Sequence, residues 1–342
     1  MPSRRLKNVA WFSDATAESR GEPGIQHSYV GSLATAINYI DGDVDPTWLM
    51  GASGFAFRLL VNEMLCPSAI SIFNWSAILP EAIEQAGHEC IYLSRLWDES
   101  SKEEEWRRQA RAVIAAAIER GVPAVVWDVA DCEWGLIVGH NDEMKVYDIL
   151  NHKGRSASLD YDKLGQRGIK ILSVAIPGAP NGRDREQVVR NALRTAVAHA
   201  TQQEWTERPK YENGLAAYDM WASALEKWAA VLSAGKGDRI GIDVAFFATY
   251  NAGHHYSARC YAREFLSRFA SGNEALHEAL QSYEEVTGRL KPVWDSFSRP
   301  QEPTPKVLAS LAESIRGAKA AETRGIDAIK RYLYDSSQEG TK

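Results

Sequence analysis

The sequence predicts an α+β fold in two parts, a domain with a mixed or antiparallel sheet over residues 1–178 and an all-helical domain over 183–342. Three observations carry this expectation. Short apolar runs alternate with amphipathic helical stretches as far as Ile176. The stretch Pro177-Gly-Ala-Pro-Asn-Gly182 then interrupts the pattern, as a linker would. Beyond it, every periodic segment has apolar residues three or four apart, the spacing of one helix face.

The first helix is read within Gly24 to Tyr39, where Val30, Leu33, Ala34 and Ile37 share a face and Pro23-Gly24 marks the preceding loop. Ser28 stands where a cap or first-turn residue belongs. A helix N-terminus favours developing negative charge, so the position suits a nucleophile as well as an ordinary cap. Asp41-Gly-Asp-Val-Asp-Pro46 is a turn-rich break, and Trp48 to Leu65 reads as a second helical region interrupted by Gly51 and Gly54. A short helix from Leu79 to Ala86 ends at Gly87, and Cys90-Ile-Tyr-Leu93 reads as a strand. Lys102 to Arg120 is helical, with an acidic first turn and Gly121-Val-Pro123 as its stop. Strands are expected at Ala124 to Val129, Trp134 to Val138, Lys145 to Ile149 and Ile169 to Ile176. The second and third are joined through Gly139-His-Asn-Asp-Glu143, a hairpin turn that leaves His140 in solvent.

In the second half, one helix face is Val188, Val189, Ala192, Leu193, Ala196 and Val197, and another is Tyr218, Trp221, Leu225, Trp228 and Leu232. Tyr261, Phe265, Leu266 and Phe269 mark a third helix. Leu276, Leu280, Tyr283, Leu290 and Trp294 mark a fourth, bent near Pro292, and the last runs from about Lys306 to Tyr334. No strand is expected between Arg183 and Tyr334. The polar cluster Asn251-Ala-Gly-His-His-Tyr256 reads as helix-surface or interdomain hydrogen bonding, because adjacent helical positions such as His254 and His255 diverge. Trp205, Trp221, Trp228, Phe246, Phe247 and Trp294 exceed what a slender bundle buries alone, which predicts packing against the first domain or a second subunit.

Charge excludes some classes of function. With 39 basic against 45 acidic residues and no basic run, nucleic acid is not an expected partner. No stretch approaches about 18 apolar residues, and no secretory signature opens the chain, so a cytoplasmic location without a membrane partner is expected. Cys66, Cys90, Cys132 and Cys260 lack the close spacing of a metal cluster or disulfide framework. Reduced thiols are expected, with no metal and no cofactor.

Two motifs then resemble a known family. Gln26-His-Ser-Tyr-Val-Gly-Ser-Leu33 resembles the nucleophile helix of papain-like, C39-type cysteine peptidases. Glu133-Trp-Gly-Leu-Ile-Val-Gly-His-Asn-Asp142 and Val146-Tyr-Asp148 resemble the family's later strands, which carry its His and Asp. The insert Trp48-Leu-Met-Gly-Ala-Ser-Gly-Phe-Ala-Phe57 and the helical second half are most similar to the butirosin biosynthesis protein H-like group, whose namesake is an acyltransferase. The resemblance implies a papain-like first domain in which the family Cys falls on Ser28, its His on Glu133 and its Asp on Asp148. Gln26, His27 and Trp134 flank these positions and are the candidate binding residues.

A thiolate–imidazole pair works because the imidazole lowers the thiol pKa and later protonates the leaving group, which Ser with Glu does not repeat. The expectation is a degenerate papain-like protein without cysteine-peptidase activity that binds a small molecule or peptide in the former cleft, self-assembly being left open. The alternative is an acyltransferase or an amide or thioester hydrolase that uses Ser28 with Glu133 or with a His supplied from elsewhere. Cys132, one residue before Glu133, would face the opposite side of a strand. Asp131 and Glu133 would share one face of a strand, an arrangement compatible with a metal or an ammonium group, but solvation in a loop is the expected reading, since no His-x-x-His or Cys-x-x-Cys pattern lies nearby.

Overall fold

The computed structural model describes residues 3–97, 99, 102–202, 210–235, 242–298 and 303–339. In chain order the elements are β1 (Arg4–Arg5), α1 (Ala15–Ser19), α2 (Ser28–Asp41), α3 (Pro46–Ala52), β2 (Leu60–Asn62), α4 (Trp75–Ala86) and β3 (His88–Arg95). Then come α5 (Glu103–Glu119), β4 (Ala124–Trp127), β5 (Trp134–Asn141), β6 (Val146–Leu150), β7 (Ser156–Asp160) and β8 (Leu172–Pro180). The last elements are α6 (Arg185–Thr201), β9 (Tyr211–Asn213), α7 (Gly214–Ser233), α8 (Ile242–Ser267), α9 (Glu274–Phe297) and α10 (Pro305–Glu339). The fold is α+β.

These elements form two compact units. The first comprises Met1–Ala15, His27–Leu49 and Trp75–Arg183; the second comprises Thr16–Gln26, Met50–Asn74 and Asp184–Lys342. The sequence reading placed residues 16–26 and 50–74 in the first domain, whereas their contacts lie with the helices. Their apolar residues explain why: Leu59, Val61 and Leu65 are fully buried in one cluster with Trp221, Leu225, Val286, Leu290 and Ile315.

In the first unit a seven-stranded antiparallel sheet runs β3-β8-β4-β5-β6-β7, with β1 also paired to β5. Ala110, Ile114, Ala117 and Ile118 of α5 pack on Val126, Ile137, Tyr147, Ile149, Val174 and Ile176. Alternation turns Trp134 and Leu136 to the face opposite Ile137. There Tyr29 of α2 meets the Trp134 ring at 4.9 Å. Every residue of α2 from Ser28 to Ile37 is buried, as expected for a helix that is apolar or small nearly all round. β1 and β7 were not expected, because two residues carry no period and Ser-Ala-Ser-Leu-Asp buries only Leu159.

The hairpin turn lies at Asp142–Lys145, two residues later than expected. His140 is consequently not solvated. It sits in β5 opposite Tyr147, buried, with Nδ1 3.8 Å from Asp142 Oδ1.

In the second unit, β2 and β9 form an antiparallel ribbon with Leu60 opposite Asn213. This corrects the expectation that no strand follows Arg183. Three residues leave no periodic trace, and their partner lies far back in the chain. Trp48 to Leu65 is likewise not one helical region: Gly54, with φ 77°, ends it, and a 3-10 turn at Phe55–Phe57 leads into β2. Gly51 instead lies within α3. A Cβ there would sit 2.0 Å from the Phe265 ring, so Gly51→Ala is expected to cost about 1–3 kcal/mol by overpacking, read as a lower urea midpoint.

Asn251, His254 and His255 are buried in α8 rather than lying on a helix surface. Asn251 Nδ2 donates to the Leu65 and Phe247 carbonyls at 2.7 and 2.8 Å, so its polarity anchors the inserted segment. Trp221 and Trp228 belong to the bundle's own core, and Phe247 and Trp294 pack against it. Phe246 is exposed, and Trp205 lies outside the described residues.

Candidate site at the head of helix α2

Ser28 is the first residue of α2, and His27 is its cap, with Nδ1 accepting the Tyr29 N–H at 3.2 Å. The Ser28 hydroxyl donates to Glu133 Oε2 at 2.5 Å and accepts the Trp134 N–H at 3.2 Å. Sequence positions 28 and 133 therefore face one another, joined across 105 residues. Ser28 is buried and Glu133 half-buried, in the loop that leads into β5. The positive end of the α2 dipole adds positive potential at this point. Chemically, the hydroxyl proton has a carboxylate acceptor, while one oxygen lone pair is already held by a backbone donor.

The other expected residues divide sharply. Trp134 contributes its backbone N–H, whereas its ring is 1 % exposed. That ring packs with Tyr29, Trp75 and Trp127 at centroid distances of 4.9, 5.0 and 5.4 Å, so it is a core side chain rather than a ligand contact. Tyr29 is anchored through its hydroxyl to the Leu79 carbonyl at 2.6 Å, and burial raises its pKa well above the ordinary value. His27 is buried and acts as a helix cap; Gln26 is exposed, with its amide on the Gly24 carbonyl at 3.3 Å. Asp148 lies in β6 opposite Gly139, with Arg5 3.5 Å away, and takes no part in the bonds that join Ser28 to Glu133.

Cys132 is not on a strand, so the alternation argument does not apply to it. It sits in the turn before β5 with φ 51°, exposed, its N–H donating to Asp128 Oδ1 at 3.0 Å. Partial burial and then the Asp128 charge push its thiol pKa up, which opposes the thiolate form a nucleophile needs. Asp131 is exposed and accepts Asn151 Nδ2 at 3.3 Å. Among the described residues, no group of three or more His, Cys, Asp or Glu is placed to hold a metal ion.

One residue escaped the sequence reading. His152 follows β6 and lies with Nδ1 3.9 Å from Asp131 Oδ2. It lies in the turn after β6, which starts beside β5: a Cβ on Gly135 would lie 3.4 Å from Asn151 Cα.

No protein-family model matches the chain, and no curated protein matches it. No described helix is long and apolar enough to cross a membrane.

Proposed function

We propose that the first unit is a papain-like, C39-like domain of the butirosin biosynthesis protein H-like kind that has lost thiol chemistry, and that the head of α2 binds a small molecule or peptide. The observation that carries this reading is the Ser28–Glu133 hydrogen bond, formed at the two positions where the family resemblance puts the nucleophile and its imidazole. Papain-type catalysis needs a nucleophile partly ionised near neutral pH. A hydroxyl that donates to a carboxylate and accepts a backbone N–H meets no such requirement, because an ordinary carboxylate is a poor base for an alcohol.

The test restores the missing pair. Ser28→Cys with Glu133→His is expected to create a thiol that reacts with iodoacetamide near pH 7 at least about tenfold faster than the native cysteines, since an adjacent imidazolium favours thiolate. The native background is low: burial pushes Cys90 and Cys260 up to about 12. A double variant whose new thiol alkylates no faster than the native ones would remove the assignment of positions 28 and 133.

A second reading, acyl transfer or hydrolysis with Ser28 as acyl acceptor, is favoured by one feature. The hydroxyl proton already points at an acceptor, and the oxygen stands at the positive end of a helix.

A further inference from the structure

We infer that Asp128 is the positioning residue of this site: from the far end of the β4–β5 connection it fixes the backbone at Glu133 and Trp134, and so the two groups that meet Ser28. The role rests on the reading of Ser28 and Glu133 as the working pair.

Each link is a hydrogen bond or a close approach. Strands β4 and β5 pair as far as Trp127 opposite Trp134. One step beyond, the Asp128 N–H donates to the Glu133 carbonyl at 3.0 Å and closes the loop between them. The Asp128 carboxylate folds back over the same loop, with Oδ1 accepting the Cys132 N–H at 3.0 Å and Arg167 Nε at 3.2 Å. Arg167 Nη2 donates to the Ala130 carbonyl. A Cβ on the adjacent Gly168 would lie 2.7 Å from Cys132 Sγ, so this segment lies directly against the loop. Val129 is buried, and a Cβ on Gly135 would lie 2.5 Å from its Cγ2. The loop is thus held at positions 128, 129, 130 and 132. The next two residues carry the contacts to Ser28: Glu133 Oε2 accepts its hydroxyl at 2.5 Å, and the Trp134 N–H donates to its oxygen at 3.2 Å.

The backbone is strained at both ends of the loop. Asp128 and Cys132 have φ of 50° and 51°, a left-handed conformation that residues other than glycine seldom adopt, Asp being among the more tolerant. Asp128 is 4 % exposed, and its Oδ2 has no hydrogen-bond partner among the described residues. Glycine would adopt this backbone without strain, yet it could accept neither the Cys132 N–H nor Arg167. Strain of this kind persists where the surrounding structure imposes a geometry, and the geometry imposed here is that of Glu133.

Two replacements separate placement from folding. Asp128→Gly suits the left-handed backbone but lacks the acceptor; Asp128→Asn tolerates that backbone and keeps an oxygen for the Cys132 N–H. The experiment uses the full chain, as wild type and as the Ser28→Cys, Glu133→His variant, with urea midpoints to establish that each form is folded. In the wild-type background the readout is amide hydrogen exchange. Asp128→Gly is expected to speed exchange of the Trp134 amide at least about tenfold while the β6 and β7 amides keep their rates, and Asp128→Asn to stay within about threefold of wild type. In the second background the readout is alkylation by iodoacetamide between pH 5 and 9. The hold on position 133 is through its backbone and survives the change of side chain there. Asp128→Gly is therefore expected to slow alkylation at position 28 near pH 7 at least about tenfold. The rise of the pH profile should move up towards that of an ordinary thiol, about pH 8.5, and Asp128→Asn should leave it in place.

An unchanged Trp134 exchange rate in Asp128→Gly would overturn the inference, as would an unchanged pH profile at position 28. Equal acceleration of the β5, β6 and β7 amides would also overturn it, because Asp128 would then serve the sheet as a whole. If the Ser28→Cys, Glu133→His variant shows no activated thiol, the family reading of positions 28 and 133 is lost, and the Trp134 amide still decides whether Asp128 holds the loop.

Discussion

Arg259→Met is expected to destabilise the helical unit by about 3–5 kcal/mol, the cost of leaving a buried charge without its partner. Arg259 in α8 is fully buried and forms a bidentate pair with Glu322 in α10, Nε to Oε2 at 2.9 Å and Nη2 to Oε1 at 2.8 Å. Its remaining donors hold the Arg58 and Ala56 carbonyls at 2.7 and 3.5 Å, which ties the inserted segment to the bundle. The hydroxyls of Tyr218 and Tyr283 donate to the same carboxylate. Every polar atom of the pair is thus served by a fixed partner, and methionine would leave a desolvated carboxylate with two tyrosines alone. The double change Arg259→Met with Glu322→Leu should recover much of the loss, because removing both charges removes the unpaired one. Urea denaturation checks this, and a single variant within about 1 kcal/mol of wild type would show the pair to be dispensable.

The second large effect concerns acid. His254 and His255 lie side by side in α8, with ring centroids 5.2 Å apart. Burial, with Arg259 as the next cause, lowers the pKa of His254 to about 3. Burial followed by the neighbouring His254 and Arg259 lowers His255 well below its ordinary range. Both are neutral in the folded chain, whereas in the unfolded chain they take up protons below about pH 6.5. Below that pH the unfolded state binds more protons, so stability is complete above it and falls as the pH drops toward the folded pKa values. Each histidine contributes up to about 1.4 kcal/mol per pH unit, and the two together up to about 2.7 kcal/mol per unit between about pH 6 and 4. The measurement is the urea midpoint as a function of pH, alongside imidazole NMR. Imidazole signals that titrate near pH 6 in the folded protein would contradict the expected slope.

What could be read in the sequence follows from how local each signal was. The Lys102 to Arg120 helix was foreseen to within a residue, because its acidic start and Gly-Pro stop are local chemistry. The β5–β6 hairpin was legible for the same reason, although its turn lies two residues further on. The facing of Ser28 and Glu133 came from matching two distant motifs at once, and neither periodicity nor propensity would have joined them. The ribbon of Leu60–Asn62 with Tyr211–Asn213 was illegible, since three residues carry no period and pairing over that separation leaves no local mark. The Arg259–Glu322 pair was hidden likewise: on a helix a charged residue reads as a solvated face until its buried partner is known. His152, which lies near Asp131, was missed because a histidine in a polar turn reads as loop.

The path of the chain through the two units bears on synthesis. Residues 50–74 emerge early, yet Leu59, Val61 and Leu65 are covered by helices encoded after residue 213. At roughly 5–20 residues per second, the ribosome takes about 10–50 s to deliver those helices after the inserted segment has left it. During that interval the three apolar side chains, next to the unpaired β2 edge, are a target for holdase chaperones. Pro177–Gly182 is not the linker the sequence suggested, because Pro177–Pro180 are the end of β8 and pair with β3; a gene cut there yields neither unit whole, since the second half lacks Thr16–Gln26 and Met50–Asn74 and the first half carries them with nothing to cover them.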